Sequence, residues 1–162
     1  GKLGITKEER ILNENFILNT RPYDKSKILL ARDNFGCGSS REHAVWALRD
    51  FGIKAVIASS FGDIFYNNCF KNGVLPIKLD KEQIQQLFDR STDDVLSLSI
   101  DLIKKEIQID NDYLISFEVD KNLLDRIVFG IDDIDITLSH KNDIIAFEKS
   151  RMKKLPWIFA ND

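Results

Sequence analysis

The chain has 162 residues, of which 43% are hydrophobic and 30% are charged, and its formal net charge at pH 7 is −3. This length and composition are typical of one compact globular domain and leave too little chain for two well-cored ones, so we expect residues 1–162 to form a single domain. Because the charge is slightly negative, with Lys and Arg spread along the sequence, we expect neither nucleic acid nor a membrane surface as a partner.

From this sequence we expect no signal that would target the chain to a membrane or out of the cytoplasm. No stretch approaches the roughly 18 consecutive apolar residues of a membrane-spanning helix, and the start "GKLGITKEER" lacks the apolar centre of a signal peptide. Two cysteines, Cys37 and Cys69, are too few for a disulfide framework, which favours reduced thiols and a cytoplasmic location. Position 1 is Gly and the sole Met is Met152, so we expect the chain to lack its true beginning.

The first half of the chain alternates strand and helix patterns. The apolar periodicity and the stop residues predict strands at 27–31, 53–59 and 74–79, and helices from Ser39 to Phe51, from near Ser60 to about Gly73, and from Lys81 to Phe88. The second helix is expected to bury one face made of Phe61, Ile64, Phe65 and Cys69. Such alternation implies parallel strands joined by right-handed crossovers.

The second half of the chain reads differently. Strand patterns at 95–103, 105–110 and 112–119 follow one another with turn-length gaps, among them "DND" at 110–112, and therefore predict antiparallel pairing. A helix at 121–130 ending at Gly130, a strand at 134–139 and a helix at 141–151 complete the prediction. The fold class is therefore α/β, with a partly parallel sheet and a more antiparallel C-terminal half.

The stretch "NFGCGSSREHA" at 34–44 carries the strongest chemical signal. It joins the first strand to the first helix, which is where open α/β sheets place their ligands. Ser39 and Glu42 fit a capping box, while Gly36 and Gly38 permit positive φ and a close approach to the backbone. A helix N-terminus and the planar guanidinium of Arg41 both suit a carboxylate or a phosphate. We therefore interpret the stretch as a cradle for an anion.

Other sites fit this stretch less well. A nucleoside-triphosphate loop would need a lysine that is missing here, and the dinucleotide pattern fails at Glu42, where a third Gly or Ala is required. Cys37 as a nucleophile with His43 as its base remains an alternative, although the two are six residues apart across a junction. A metal site built from Cys37, His43 and Cys69 has no recognised ligand spacing, and an inert, buried Cys69 is favoured.

A family resemblance narrows these alternatives. The segment "LLARDNFGCGSSREHAVWALRDFGIKAVIASSFGDIFYNNCFKNGVLPIKL" resembles the swivel domain of the aconitase superfamily, and in particular the separate small subunits of 3-isopropylmalate dehydratase. The match is strongest over about 30–79 and looser through "DITLSHKNDIIAFE". The resemblance implies a three-layer β/β/α swivel domain. The strand segment with which family members normally begin is not visible before Gly1.

The resemblance also implies an activity and a partner. It implies a hydro-lyase of leucine biosynthesis that interconverts 2-isopropylmalate and 3-isopropylmalate, active only in complex with a large subunit that carries a 4Fe-4S cluster. This chain is expected to bind no metal and no cofactor of its own. The alternatives are a small subunit of a related hydro-lyase, of the homoaconitase or methylmalate/citraconate type, a non-catalytic anion-binding module, and a thiol enzyme.

The same resemblance suggests a role for each residue of the motif. Ser39 aligns with the catalytic base, and Ser40 and Arg41 align with residues that bind the substrate carboxylate. Gly36, Cys37, Gly38, Glu42 and His43 are expected to shape and support the loop, with His43 orienting it rather than transferring protons. A purely structural role for Ser39, as a helix cap, remains open.

Overall fold

The structure is a computed structural model that describes residues 11–38, 40–91, 95–109 and 113–159. Within these residues the strands are β1 Ile28–Leu30, β2 Ala55–Ala58, β3 Leu75–Lys78, β4 Leu98–Asp101, β5 Glu106–Ile109 and β6 Tyr113–Ser116. The helices are α1 His43–Phe51, α2 Asp63–Lys71, α3 Lys81–Arg90, α4 Lys121–Phe129, α5 Asp133–Ser139 and α6 Lys141–Lys154. Short 3-10 turns lie at Ile17–Asn19, Tyr23–Lys25 and Pro156–Ile158.

The first sheet is parallel, with the strand order β1-β2-β3, and α1 and α2 form its crossovers. All four residues of the central strand β2 are buried, as expected for a strand covered on both faces. Val56 packs with the α1 and α2 residues Val45 and Phe65, whereas Ile57 packs into a second cluster on the opposite face. The two helices therefore cover one face of the sheet.

The second sheet covers the other face. It is antiparallel in the order β4-β5-β6, and its buried residues Ile107, Ile109 and Ile115 belong to the same apolar cluster as Ile57 and Ile77 of the parallel sheet. Along β5 and β6, buried and more exposed positions alternate, so one face of this sheet meets the core. The order helix, sheet, sheet confirms the predicted three-layer β/β/α class with its parallel and antiparallel halves. The predicted turn at 110–112 lies outside the described residues.

Helix α1 differs from its prediction at the N-terminal end. It begins at His43 and not after Ser39, and its N-cap residue is Glu42, whose side chain makes no capping hydrogen bond. The predicted capping box, which places Glu42 three residues inside the helix, is therefore wrong. The other end is as predicted, because Gly52 adopts the left-handed conformation with φ +114° that suits glycine after a helix.

Two further differences concern α2 and α5. Helix α2 begins at Asp63, and Ile64, which was expected on its buried face, is 53% exposed. Residues 134–139 were predicted as a strand but lie in helix α5, which Asp132 caps by accepting hydrogen bonds from the Ile134 and Asp135 N–H groups. Among the described helices, none combines the length and the apolar character needed to cross a membrane.

Candidate functional site

The motif loop, defined as residues 34–38 and 40–42, leaves the C-terminal end of β1 and leads into α1. The predicted base, Ser39, lies outside the described residues, so its role stays a prediction. The loop opens with a tight turn in which the Cys37 N–H donates to the Asn34 carbonyl at 3.3 Å. Asn34 has φ +58° and Gly36 has φ +78°, so two of the three residues before Cys37 are left-handed.

Aromatic rings pack against the loop. Phe65 is buried, and its ring meets that of Phe35 edge-on, with the ring centres 5.3 Å apart. A Cβ placed on Gly36 would lie 2.2 Å from Cγ of Phe65, so a side chain here would occupy the space of the ring. Gly36 therefore has the left-handed φ and the close approach expected of it, although the approaching group is a phenyl ring.

The two loop glycines differ. Gly38 has no left-handed φ, and a Cβ built there would meet no described atom within 4 Å. The positive φ that the sequence permits at both glycines is therefore present at Gly36 and not at Gly38. Space beside Gly38 is open to solvent, where an approaching ligand would fit.

A second segment, residues 59–62 after β2, lies against the loop and was not identified from the sequence. The Phe35 N–H donates to the Ser60 carbonyl at 3.0 Å, and the Gly62 N–H donates to the Phe35 carbonyl at 2.9 Å. A Cβ on Gly62 would lie 2.9 Å from the Cys37 Cα atom, so Gly62 is required for this backbone contact. The sequence signal that could have identified this segment is its place directly after β2, which puts it at the same sheet edge as the loop.

The loop and the start of α2 enclose an open cleft of about 240 Å³. Its lining residues are Gly36, Cys37, Ser40, Gly62, Asp63, Ile64 and Phe65. The structure thus brings three of the predicted residues, Gly36, Cys37 and Ser40, to one cleft, and adds four residues around the N-terminus of α2. Arg41 is the exposed neighbour of Ser40 and does not line the cleft itself.

The electrostatics of the cleft are mixed. The N-cap of α2 is Gly62, which offers no side-chain cap, so the first N–H groups of the helix are directed toward this end. Asp63, the first residue of α2, adds a carboxylate in the position that the helix dipole favours. An anion in the cleft would therefore meet both attraction and repulsion, which increases the importance of a nearby cation such as Arg41.

The remaining motif residues, Glu42 and His43, lie at the start of α1. Glu42 is half-buried, and its carbonyl accepts from the Val45 and Trp46 N–H groups, which starts α1. His43 is exposed, and its ring lies 4.6 Å from that of Trp46, centre to centre. Both contacts are made with residues of α1, and the predicted role of Glu42 and His43 in supporting the loop stays a prediction.

The two cysteines have different environments. Cys37 is exposed at the cleft, whereas Cys69 is fully buried in α2, and burial raises the pKa of its thiol to about 12. Cys69 is therefore the inert core residue that was predicted. Within the described part of the chain, no group of three or more His, Cys, Asp or Glu side chains could hold a metal ion.

Curated relatives cover nearly the whole chain. It is 47% identical over 158 residues to the 3-isopropylmalate dehydratase small subunit of Ruthia magnifica, which covers 98% of this chain and 75% of that protein. It is 49% identical over 151 residues to the small subunit of Marinobacter nauticus, which covers 93% of this chain and 70% of that protein. The chain belongs to the 3-isopropylmalate dehydratase small-subunit family.

Family models and a solved structure agree with this membership. The aconitase C-terminal domain model matches residues 3–82, and the C-terminal domain model of the 3-isopropylmalate dehydratase small subunit matches residues 133–161. A crystal structure of a 3-isopropylmalate dehydratase from Methanocaldococcus jannaschii is 36% identical and superposes with a TM-score of 0.57, covering 85% of this chain and 75% of that chain. The predicted family and fold are confirmed, and the motif loop lies within the first of the two matched regions.

Proposed function

We propose that the chain is the small subunit of a 3-isopropylmalate dehydratase, a hydro-lyase that interconverts 2-isopropylmalate and 3-isopropylmalate in leucine biosynthesis. The observation that carries the proposal is the cleft at the C-terminal edge of the parallel sheet. There Ser40, Gly36 and the N-terminus of α2 face a common space, and Arg41 follows Ser40 in the chain. A small carboxylate-bearing substrate suits these groups.

The proposed chemistry explains why the loop carries these residue types. Removing a proton next to a carboxylate builds negative charge on a group that is already anionic, so the site must stabilise that charge where it develops. Arg41 and Ser40 would hold the substrate carboxylate, and Ser39 would accept the proton. A serine hydroxyl is a weak base, so Ser39 requires a strongly stabilised alkoxide to perform this step.

The residues of this chain do not fit an iron–sulfur cluster of their own. The sequence contains two cysteines, and one of them, Cys69, is fully buried with a raised pKa. A four-iron cluster is held by cysteine thiolates, so two cysteines of which one is inaccessible are too few. We therefore assign the cluster to a large-subunit partner, and this chain supplies binding and proton transfer.

Copurification and turnover test this function together. The chain is expressed with a cluster-bearing large subunit, and alkene formation from 3-isopropylmalate is followed in the ultraviolet. We expect Arg41→Ala to lower kcat/KM about 10- to 100-fold, the loss expected for a hydrogen-bonded charged contact of about 1.5–3 kcal/mol. Arg49→Ala is the matched control, because Arg49 is an exposed arginine of the same region that pairs with Asp50.

Two outcomes would contradict the proposal. A chain that copurifies with the large subunit but yields a complex without alkene formation acts as a non-catalytic module. An assembled Arg41→Ala or Ser39→Ala complex with full turnover removes the assigned roles. Because Cys37 is exposed at the cleft, Cys37→Ser separates a thiol mechanism, which requires the sulfur, from the proposed one, which retains turnover without it.

A further inference from the structure

Asp33 connects the ends of all three parallel strands. It follows β1 by three residues, Ser59 directly follows β2, and Lys81 begins α3 just after β3. The carboxylate of Asp33 accepts a short hydrogen bond from the Ser59 hydroxyl through Oδ1. Through Oδ2 it accepts from Lys81 Nζ at 2.6 Å. One side chain thus links three strand ends directly before the motif loop.

The residue after Asp33 starts the left-handed turn of the loop. Asn34 has φ +58°, a left-handed conformation that asparagine adopts more readily than most other non-glycine residues. Its N–H donates to the Ser60 hydroxyl oxygen at 2.7 Å, and the next N–H, of Phe35, donates to the Ser60 carbonyl at 3.0 Å. Asp33 and Asn34 are therefore both fixed to the same segment, residues 59–60.

We propose that Asp33 is a positioning residue for the reaction: by binding Ser59 and Lys81 it fixes the turn that presents Ser40 and Arg41 to the substrate. The inference rests on the proposed function, since it assigns Asp33 an effect through those two residues. Asp33 does not line the cleft, so any effect on turnover would be indirect.

Charge supports this assignment. The hydrogen bond from Lys81, and then that from Ser59, hold the pKa of Asp33 below its usual value, and the positive charge of Arg32 acts in the same direction. Asp33 is therefore a carboxylate at neutral pH. Arg32 is itself fixed against α3, where it donates to Gln85 at 2.9 Å and lies over the Phe88 ring.

Loss of a surface ion pair that has no role in the reaction would change different measured quantities from loss of a positioning contact. The side chains of Lys81 and Asp33 are 78% and 53% exposed, and exposed ion pairs contribute little to global stability. Loss of a merely structural pair would leave kcat/KM unchanged, with at most a small shift of the denaturation midpoint. Loss of a positioning contact should lower kcat/KM while the midpoint and subunit assembly stay near those of the wild type.

The test uses each variant and the wild-type chain expressed and purified in complex with the cluster-bearing large subunit. Asp33→Ala is expected to lower kcat/KM for 3-isopropylmalate about 10- to 100-fold, the range that a misplacement of about 1 Å produces. Asp33→Asn should fall between Asp33→Ala and the wild type, because the amide oxygen still accepts from Ser59. Asp24→Asn removes an exposed aspartate of the turn at Tyr23–Lys25 and serves as the matched control.

Amide hydrogen exchange separates failure of the inference from failure of the proposed function. We expect faster exchange at Asn34, Phe35 and Gly62 in Asp33→Ala than in Asp24→Asn. Unchanged exchange and unchanged kcat/KM would overturn the inference. If the wild-type complex does not turn over isopropylmalate, the proposed function fails and exchange alone decides whether Asp33 anchors the loop. If Asp33→Ala does not assemble, Asp33→Asn and Ser59→Ala must show the same changes at smaller size, and wild-type behaviour of both would overturn the inference.

Discussion

At the scale of single residues, Gly36 is a position in the motif loop where a side chain would not fit. Its φ of +78° is disfavoured for any residue with a Cβ, and the space that a Cβ would need is occupied by the Phe65 ring. Phe65 cannot move freely, because it is a buried residue of α2 whose ring packs against the rings of Phe35 and Phe61. Backbone conformation and packing therefore both restrict Gly36.

We predict that Gly36→Ala lowers the free energy of unfolding by at least about 1–2 kcal/mol from the left-handed backbone conformation. Displacement of the Phe65 ring should cost about 1–3 kcal/mol more. Urea denaturation followed by circular dichroism measures the sum. Gly38→Ala is the matched control for stability, because Gly38 has no left-handed φ and a Cβ built there would meet no atom of the described residues within 4 Å. Equal midpoints for the two variants would contradict the prediction.

At the scale of secondary-structure elements, helix α5 depends on its cap. The Oδ1 atom of Asp132 accepts from the N–H groups of Ile134 and Asp135 at 2.8 Å each, and the Asp135 carboxylate accepts from the Asp132 N–H at 3.1 Å. This reciprocal pair is a capping box at the start of a seven-residue helix without buried residues. Without much packing to hold it, the helix relies on this local contact.

We predict that Asp132→Ala destabilises α5 by about 1 kcal/mol, the usual effect of losing such a cap. Because α5 has no buried residue, the loss should appear as local opening, with faster amide hydrogen exchange over 133–139 and little change in the global midpoint. Glu148→Ala on the exposed helix α6 removes one negative charge and is the control. Unchanged exchange in Asp132→Ala relative to Glu148→Ala would show that the cap does not stabilise the helix.

Helix α5 also shows where prediction of the fold from sequence reached its limit. In the segment "IDITLS" the apolar residues Ile, Ile and Leu alternate with the polar residues Asp, Thr and Ser, a pattern that favours a strand. The capping box, together with ion pairs from Asp133 to Arg126 at 2.5 Å and to Lys71 at 3.6 Å, accompanies a helix instead. By contrast, the apolar runs that became β1 to β3 were predicted correctly, because both faces of that sheet are covered.

Only part of the candidate site could be predicted from the sequence, namely the part formed by one continuous stretch of residues. Its continuous piece, with Gly36, Cys37 and Ser40, follows directly from the motif. The start of α2 and the contact of Asp33 with Ser59 and Lys81 depend on how the ends of β1, β2 and β3 align, which no single stretch of sequence specifies. Gly62 in particular is recognisable only once its backbone is seen beside Cys37.

At the scale of the whole molecule, three hydrogen-bonded aspartates in separate parts of the fold make its stability depend on pH. Asp33 at the parallel sheet has a lowered pKa chiefly because of Lys81, and Asp133 in α5 chiefly because of Arg126. The pKa of Asp101, at the end of β4, is lowered chiefly by the Lys104 backbone N–H, which donates to Oδ1 at 2.9 Å. Two of these carboxylates thus depend on charged side chains and one on backbone donors.

We predict that stability falls on acidification below about pH 4. The folded state holds the pKa of each of these aspartates below the unfolded value of about 3.9, so their contribution is complete above that pH and is lost as the pH falls through the folded values. Urea midpoints measured between pH 2 and pH 6 should therefore stay level down to about pH 4 and then decrease. Each carboxylate is exposed, so each should contribute a small part of the decrease.

Salt distinguishes the physical causes of this acid dependence. At about 1 M NaCl the Debye length is near 3 Å, which screens the exposed ion pairs of Asp33 and Asp133 but leaves the backbone hydrogen bonds of Asp101. Asp133→Asn should therefore reduce both the acid-dependent decrease and its sensitivity to salt, whereas Asp101→Asn should reduce the decrease and leave its salt sensitivity unchanged. If salt changes the fall of the urea midpoint below about pH 4 equally in both variants, long-range charge lowers the two pKa values and the contacts seen in the structure do not.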